Sequence, residues 1–346
     1  MKAIRLEQNG GPEVLALADL PTPEPGASEV RVKHHAIGVN FIDTYQRSGL
    51  YKIGLPSGLG LEAAGVVEAV GANVTRFKQG DRIAYASGPL GAYAEANVVN
   101  ETRAVKLPDA TPFDIAAASL LKGMTARFLL RKTFRVERGH DVVIHAAAGG
   151  VGQIAVQWAK HLGANVIAVV GSDAKAEIAK SLGADHTIIT SRDDIAKRVR
   201  EITGIGAHVV YDSVGKDTFM ASLDSLRPLG MMVSFGNASG PAGPIPPSAL
   251  QQRGSLFLTR PTLFHYTATL EQLDETSADL FDVLASGAVK IAAPTRYALA
   301  DAAQAHHDLE SRKTTGSLVL TRSPRRCVAS CFDGLSMTPI LAPASQ

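Results

Sequence analysis

A glycine-rich loop is the segment whose residue types point most directly to chemistry. Residues 146–152 read Ala-Ala-Ala-Gly-Gly-Val-Gly and stand between an apolar run typical of a strand and a run typical of a helix. In the dinucleotide-binding pattern GxGxxG, Ala147 takes the first position, and Gly149 and Gly152 take the other two. Glycine at 149 lets the backbone approach a pyrophosphate at the helix N-terminus, and glycine at 152 lets the helix pack closely on the strand. The predicted contacts are Ala148, Gly149, Gly150, Val151 and Gly152. A tight strand–helix turn without a ligand is the alternative.

The residues after the next strand bear on which dinucleotide would bind. Enzymes that use NAD place Asp or Glu about twenty residues beyond the loop, where it accepts from the ribose 2′-hydroxyl. Here the strand ends at Val170, and Gly171, Ser172 and Lys175 follow, with no carboxylate at the strand end itself. Amide, hydroxyl and ammonium groups suit the 2′-phosphate, so the sequence favours NADPH over NADH. Two alternatives stay open: Asp173 could hold a ribose, and Lys175 could be a solvated helix residue.

The elements that must position this loop alternate between strands and helices. Strands are predicted at residues 141–145, 165–170, 185–189, 207–211, 231–235 and 255–259, and helices at 151–162, 174–182, 193–202 and 216–226. Because parallel strands need crossovers, this alternation predicts a parallel sheet with helices on both faces. Further helices are predicted at 114–130 before the sheet and at 270–285 after it. A short closing region follows the second of these helices and ends at residues 317–320.

The first third of the chain has the pattern of a small β-barrel-like domain. Strands are predicted at residues 30–33, 65–71 and 80–85, each bounded by turn residues. Pro21, Pro23 and Pro25 make a helix improbable in the early part. The opposite end, residues 322–346, is rich in proline and small residues and is predicted to be a disordered tail.

Composition narrows the classes of function. A length of 346 residues suggests two domains, and a formal net charge of +2 favours neither nucleic acid nor an anionic membrane as a partner. The first residues lack the apolar core of a signal peptide, and no apolar run reaches membrane-spanning length. Cys327 and Cys331, the only cysteines, can build no disulfide framework and have no histidine nearby to complete a metal site. We therefore expect a cytoplasmic protein.

Several segments in order resemble the medium-chain dehydrogenase/reductase superfamily, and within it the NADPH:quinone oxidoreductases of the zeta-crystallin-like branch. They are residues 9–15, 37–43, 60–71, 80–82, 145–160, 211–215 and 234–236. The resemblance covers residues 1 to about 321. It implies an α/β fold in which a GroES-like, β-rich catalytic domain, residues 1–122 and 262–321, surrounds a Rossmann domain, a doubly wound parallel sheet of residues 123–261 that binds NADPH. It also implies a homodimer joined along the edge of the Rossmann sheet, where residues 255–259 form the last strand.

The resemblance also bears on metal binding. Zinc-dependent alcohol dehydrogenases of this superfamily hold zinc with a Cys, a His and a further ligand. In this chain Val-Asn-Phe at residues 39–41 replaces the Cys segment, and Gly-Leu-Glu at 60–62 lacks the His before its Glu. The tetrahedral set that zinc prefers is missing, so no metal site is predicted. The pairs His34–His35 and His306–His307 are interpreted as surface or rim residues, because neighbours on a strand or helix point apart.

Without zinc, oxidation of an alcohol lacks its Lewis acid, which favours reduction of an electrophilic quinone or enone. The resemblance implies that Asn40 and Tyr45 lie beside the nicotinamide, with Tyr45 a candidate hydrogen-bond donor to the reduced oxygen; a packed aromatic is the alternative. Ser191 replaces a Tyr that helps hold the 2′-phosphate in some relatives, so Lys175 would carry more of that task. The further implied cofactor contacts are Thr125, Ser213, Phe235, Gly236, Arg260 and Ser317.

Two other functions remain open at this point. The same fold also reduces 2-alkenals, other enones and enoyl thioesters, so a reductase of that kind is the second enzymatic hypothesis. A nucleotide-binding protein with an RNA-binding or crystallin-like structural role is the hypothesis from another class. The near-neutral charge gives that role no support.

Overall fold

Three β-sheets organise residues 1–322, the part of the chain that the structure, a computed structural model, describes. Its strands are β1 (Lys2–Leu6), β2 (Ala16–Asp19), β3 (Glu29–Val39), β4 (Ser57–Gly58), β5 (Ala63–Val70), β6 (Arg82–Tyr85), β7 (Ala96–Asn100), β8 (Ala104–Lys106), β9 (Asp141–His145), β10 (Asn165–Val170), β11 (His186–Ile189), β12 (Ala207–Asp212), β13 (Leu226–Ser234), β14 (Phe257–Thr259), β15 (Thr295–Ala298) and β16 (Leu318–Thr321). Its α-helices are α1 (Phe41–Ser48), α2 (Phe113–Phe128), α3 (Gly150–His161), α4 (Asp173–Ser181), α5 (Ile195–Thr203), α6 (Phe219–Asp224), α7 (Pro247–Gln252), α8 (Leu263–Tyr266), α9 (Leu270–Ala285) and α10 (Ala302–Glu310). The predicted tail lies outside the described residues, apart from Arg322.

The predicted doubly wound parallel sheet is confirmed. Its six strands run in the order β11-β10-β9-β12-β13-β14, all parallel, and each crossover carries a helix. The central strand β9 has Val142, Val143 and Ile144 fully buried, as a strand covered on both faces requires. Successive strands are added on one side of β9 up to β11 and on its other side from β12 onward. The crevice at such a switch point is where open α/β sheets bind ligands.

The β-rich domain combines strands from both ends of the chain. A seven-stranded sheet has the order β15-β16-β3-β5-β6-β8, with β7 also pairing with β3, and a three-stranded sheet has the order β2-β1-β4. The late strand β16 lies antiparallel to β3, with Leu318 opposite Val39. This confirms the GroES-like fold class, whereas the exact domain boundaries stay a prediction because α2 continues across residues 122 and 123.

The helix α1 was not predicted, because the first third of the chain was interpreted as strands. Its N-terminus is held by Asp43, whose Oδ2 accepts from the main-chain N of Asn40 at 2.8 Å, and Gly49 ends it with a φ of +83°. Its buried residues include Asp43, Gln46 and Arg47. A helix that buries charged and polar side chains lacks the apolar stripe by which a helix is predicted, which is why the pattern missed it.

The interpretation of the histidine pairs as surface residues is wrong for one member of each pair. His34 is 1% exposed and His306 is fully buried, whereas His35 and His307 are exposed. The Nδ1 of His34 donates to the Ala94 carbonyl at 2.7 Å, so its Nε2 accepts from the Tyr85 hydroxyl at 2.9 Å. Neighbouring residues do point apart, but one of the two directions leads into the core.

Burial of His34 predicts a pH-dependent contribution to stability. Desolvation lowers the pKa of His34 to about 4, whereas the unfolded chain takes up the proton near pH 6.5. The neutral imidazole therefore stabilises the fold fully above pH 6.5, and this contribution falls by about 1.4 kcal/mol per pH unit between about pH 6.5 and 4. We expect His34→Gln to lose less stability than the wild type between pH 7 and 5. Thermal unfolding at both pH values measures this, and equal losses would contradict it. Comparing the two proteins cancels the opposing contribution of Asp43, whose pKa burial raises to about 7.

Candidate active site

A cleft of about 840 Å³ opens where the parallel sheet meets the β-rich domain. The Rossmann side contributes the loops after β9, β10, β12 and β13, and the β-rich side contributes the segment from Val39 to Tyr51. Apolar side chains make much of the wall, among them Val39, Phe41, Leu61 and Phe235. A concave, mostly apolar site with a few polar groups is the usual form of a site for a small molecule and its cofactor.

The glycine loop lines this cleft, and Gly150 and Gly152 have no room for a side chain. Gly149 is the N-cap of α3, and its N–H donates to the Ala146 carbonyl at 2.8 Å. A Cβ at Gly152 would lie 2.3 Å from that carbonyl oxygen and 2.7 Å from the Cα of Ala147. The helix therefore packs on the strand as closely as predicted, and its first residues line the cleft. Contact with a dinucleotide stays a prediction.

Most of the predicted site residues line this one cleft. Those that do are Asn40, Tyr45, Thr125, Ala148, Gly149, Gly150, Val151, Gly152, Gly171, Lys175, Ser213, Phe235, Gly236 and Arg260. Ser172, Ser191 and Ser317 do not. Ser172 caps α4, and the Ser317 hydroxyl donates to the Ala118 carbonyl at 2.8 Å. Ser191 is exposed, and its neighbour Thr190 lines the cleft instead.

Two cationic residues, Lys175 and Arg312, line the cleft beside the end of β10, and the Arg312 guanidinium lies 3.8 Å from Asp217. The Nζ of Lys175 donates to the main-chain carbonyl of Arg312 at 2.7 Å, and both residues line the cleft. Desolvation and the nearby Arg312 lower the pKa of Lys175. Sequence reasoning missed Arg312, which lies 137 residues from Lys175 in the chain and in no motif. Asp173, the alternative ribose ligand, pairs instead with Arg192 at 2.9 Å.

Tyr45 and Tyr51 line the cleft and connect the two domains across it. The hydroxyl of Tyr45 accepts from the main-chain N of Asn237 at 2.9 Å, and the hydroxyl of Tyr51 accepts from Arg260 Nη2 at 3.1 Å. Burial raises the pKa of Tyr45 to about 12, so it is a neutral phenol at physiological pH. Since its oxygen already accepts a hydrogen bond, the Tyr45 proton remains to be donated. Tyr51 was not predicted.

Asn40 lies at the junction of β3 and α1, buried in the cleft wall. Its Nδ2 donates to Glu62 Oε2 at 2.8 Å, while Glu62 Oε1 accepts from the main-chain N of Leu121 at 2.7 Å. The Nζ of Lys122 lies 3.7 Å from Glu62 Oε2. Among residues 1–322 no group of three or more His, Cys, Asp or Glu is placed to hold a metal ion. The absence of zinc from the protein stays a prediction.

Comparison with known proteins agrees with both domains. Residues 26–109 match the family model of the alcohol dehydrogenase GroES-like domain, and residues 150–281 match that of zinc-binding dehydrogenases. The quinone oxidoreductase of Pseudomonas aeruginosa is 54% identical over 92% of this chain and 99% of its own length. Quinone oxidoreductase 1 of Escherichia coli is 49% identical over 92% of this chain and 98% of its own. A 2-haloacrylate reductase from Burkholderia is 46% identical over 91% of this chain and 97% of its own.

Solved structures show the same fold over the same extent. The crystal structure of Escherichia coli quinone oxidoreductase complexed with NADPH superposes with a TM-score of 0.91 at 48% identity, covering 93% of this chain and 100% of the other. The quinone oxidoreductase of Pseudomonas syringae gives a TM-score of 0.91 at 53% identity, covering 92% and 99%. The family predicted from the sequence motifs is confirmed. The chain belongs to the quinone oxidoreductase family of the medium-chain dehydrogenases/reductases.

Proposed function

We propose that this oxidoreductase reduces quinones with NADPH by hydride transfer without a metal ion. The observation that carries the proposal is the single cleft that joins the glycine loop, the Lys175–Arg312 pair and the Asn40–Tyr45 segment. NADPH supplies the hydride when it is bound. The protein must then hold donor and acceptor in contact, exclude water and stabilise the charge that develops on the acceptor oxygen.

The positive end of the cleft supports NADPH as the cofactor. A 2′-phosphate needs cations where an NAD enzyme has a carboxylate. Lys175 and Arg312 supply two. Two carboxylates lie near them: Asp217, which also lines the cleft, is 3.8 Å from Arg312, and Asp173 is paired with Arg192. Structures of the Escherichia coli enzyme and of a mycobacterial relative at 48% identity are described as complexes with NADPH. The glycine loop provides the anion site for the pyrophosphate at the N-terminus of α3.

The apolar part of the cleft suits a flat, conjugated acceptor. Phe41, Leu61 and Phe235 can cover the faces of a ring, while the Tyr45 hydroxyl can donate to a carbonyl oxygen. Quinones delocalise the incoming negative charge onto oxygen, so a single neutral donor is sufficient. Tyr45 therefore orients and stabilises the acceptor in this proposal and does not act as a strong acid.

The test is a visible assay of NADPH oxidation with a short quinone. Turnover with the quinone is expected, and its absence would support the nucleotide-binding structural role instead. Comparison with 2-alkenals and 2-haloacrylates at matched concentrations separates the two reductase hypotheses. The 46% identical 2-haloacrylate reductase is the observation that favours the second one. A higher kcat/KM for the alkenals would make it the better assignment.

Activity is expected to survive exhaustive chelation, because residues 39–41 and 60–62, which correspond to the ligand positions of the zinc-dependent enzymes, contain neither Cys nor His. Within these two segments only Glu62 has a side chain of a kind that binds zinc. Its carboxylate already contacts Asn40, Leu121 and Lys122. Metal analysis of the folded protein, before and after dialysis against a chelator, should accompany the assay. Loss of stoichiometric zinc together with turnover would contradict this part of the proposal.

Pairing of two copies along β14 is the proposed assembly. This strand is at the edge of the six-stranded sheet, and its Phe257 and Leu258 are 56% and 36% exposed. An exposed apolar edge favours pairing with a second copy. Light scattering at micromolar concentration should give a dimer, and Leu258→Lys should shift it toward the monomer. Ile205→Lys, at an exposed apolar residue just before the inner strand β12, is the matched control. A monomeric wild type would contradict the assembly.

The cytoplasm is the proposed location, on the ground that the chain has two cysteines and no disulfide framework. Within residues 1–322, no helix combines the length and the apolar character needed to cross a membrane. The acceptor is expected to be a small molecule, and the balanced charge gives no support for a nucleic-acid partner.

A further inference from the structure

A buried pair of opposite charges stands directly behind Asn40. The side chains of Glu62 and Lys122 are 0% and 7% exposed, and their nearest charged atoms are 3.7 Å apart. Lys122 Nζ also donates to the Val39 carbonyl at 3.3 Å, one residue before Asn40. Buried charges are costly, and the hydride transfer proposed above uses neither of them directly. We therefore expect this buried pair to have a function in the site.

Two glycines make room for this pair. A Cβ at Gly38 would lie 2.1 Å from Glu62 Oε2, so the carboxylate occupies the space that a side chain on β3 would need. A Cβ at Gly150 would lie 2.7 Å from the Cδ of Lys122. The aliphatic stem of Lys122 therefore passes against the first residue of α3, beside the predicted pyrophosphate site. The backbone on both sides of the cleft is shaped to the two side chains.

The Glu62 carboxylate holds the amide nitrogen of Asn40, while the capping box at the start of α1 also involves the Asn40 side chain. An ionised carboxylate only accepts hydrogen bonds, so it holds the Nδ2 of Asn40 and directs the Oδ1 away. A protonated or neutral group at the same place can donate as well, and the amide could then turn over. Ionisation of Glu62 is opposed by its burial, which raises its pKa, and is favoured by Lys122, the Leu121 N–H and Asn40. Lys122 is thus the charge that keeps Glu62 an acceptor.

We propose that Glu62 and Lys122 are a positioning pair that holds the Asn40 amide in one orientation at the cleft wall. This inference rests on the proposed hydride transfer between NADPH and a quinone. In the described part of the chain, the charged or titratable groups that act on Glu62 are Lys122 on α2, Asp43 on α1 and Tyr93 before β7. Asp43 must be distinguished from Glu62, because burial raises the pKa of Asp43 to about 7.

The experiment is the pH dependence of single-turnover NADPH oxidation, from about pH 5.5 to 9, with a saturating short quinone. Removing the cation should let Glu62 take up a proton at higher pH. In Lys122→Met the pH at which the rate falls on acidification is therefore expected to rise by about 1 to 3 pH units, which brings the fall into the measured pH range if it lies below that range in the wild type. The rate should recover at high pH. Lys122→Arg keeps the charge and should leave the decline near its wild-type position.

Two further variants control for folding and for Asp43. The double variant Glu62→Gln/Lys122→Met removes both charges of the pair. It should react slowly at every pH and should not show the fall in rate that protonation of Glu62 causes. Arg127→Met removes another buried cation of α2, paired with Glu275 and Asp279, and should lower stability without moving the pH profile. Thermal unfolding and the affinity for NADPH, measured by fluorescence over the same pH range, accompany each variant.

An unchanged pH profile in Lys122→Met would overturn the proposal that Glu62 and Lys122 are a positioning pair. If the rate of the double variant still falls at low pH, the titration belongs to Asp43, and the proposal is overturned as well. If the wild type reduces no quinone, the proposed function fails. The pair is then judged on NADPH affinity, which should weaken toward low pH in Lys122→Met relative to the wild type. Equal pH dependence of that affinity in the two proteins would overturn the positioning role independently.

Discussion

Replacing Asn40 with alanine is expected to slow hydride transfer about a hundredfold, because misplaced reactants forfeit the advantage of proximity. Asn40 is 5% exposed in the cleft wall, and its Nδ2 donates to Glu62 at 2.8 Å. The substitution is small and lies at a cavity, so the variant should stay folded. Single-turnover oxidation of NADPH with a saturating quinone isolates the chemical step from product release.

Tyr45→Phe is the matched comparison for this variant. It removes one hydrogen bond between the domains, from the Asn237 N–H, and one donor to the acceptor oxygen. If Tyr45 positions the acceptor, the loss should be about tenfold or less, whereas a general acid would contribute about a hundredfold or more. A thousandfold loss with NADPH binding intact would require a proton-donating role for Tyr45. No effect from either substitution would refute the placement of the reaction in this cleft.

Lys175→Ala should weaken binding of NADPH about tenfold to a hundredfold while changing that of NADH little, because only NADPH carries the 2′-phosphate. Arg312→Ala is expected to act in the same direction. The dissociation constants of both nucleotides, measured by fluorescence, give the ratio directly. Lys180→Ala, on the same helix but paired with Glu177, is the control and should leave the ratio unchanged. Equal weakening of both nucleotides by Lys175→Ala would contradict the phosphate-binding role.

Local sequence pattern was sufficient to predict the bounds of those elements whose buried residues recur at a regular spacing. The strands Asp141–His145 and Asn165–Val170 and the helix Leu270–Ala285 have the predicted bounds. Runs of Val and Ile covered on both faces, and an apolar stripe on a long helix, are signals that tertiary contacts reinforce. Where tertiary contacts compete with local preference, the prediction was less accurate. The predicted helix 216–226 shortens to Phe219–Asp224, because β13 begins at Leu226 beside β12.

The steric form of the glycine loop followed from the sequence alone, because glycines at fixed spacing between a strand and a helix have a meaning that needs no distant residue, whereas its contact with a dinucleotide stays a prediction. The sequence also indicated the family and the lack of a complete zinc ligand set. Only the tertiary structure decided that Arg312 meets Lys175, that Tyr51 meets Arg260, and that Lys122 stands behind Glu62. It also decided that His34 and His306 are buried. These relations join residues far apart in the chain, and their partners are set by the packing of the split domain against the parallel sheet, which no local pattern contains.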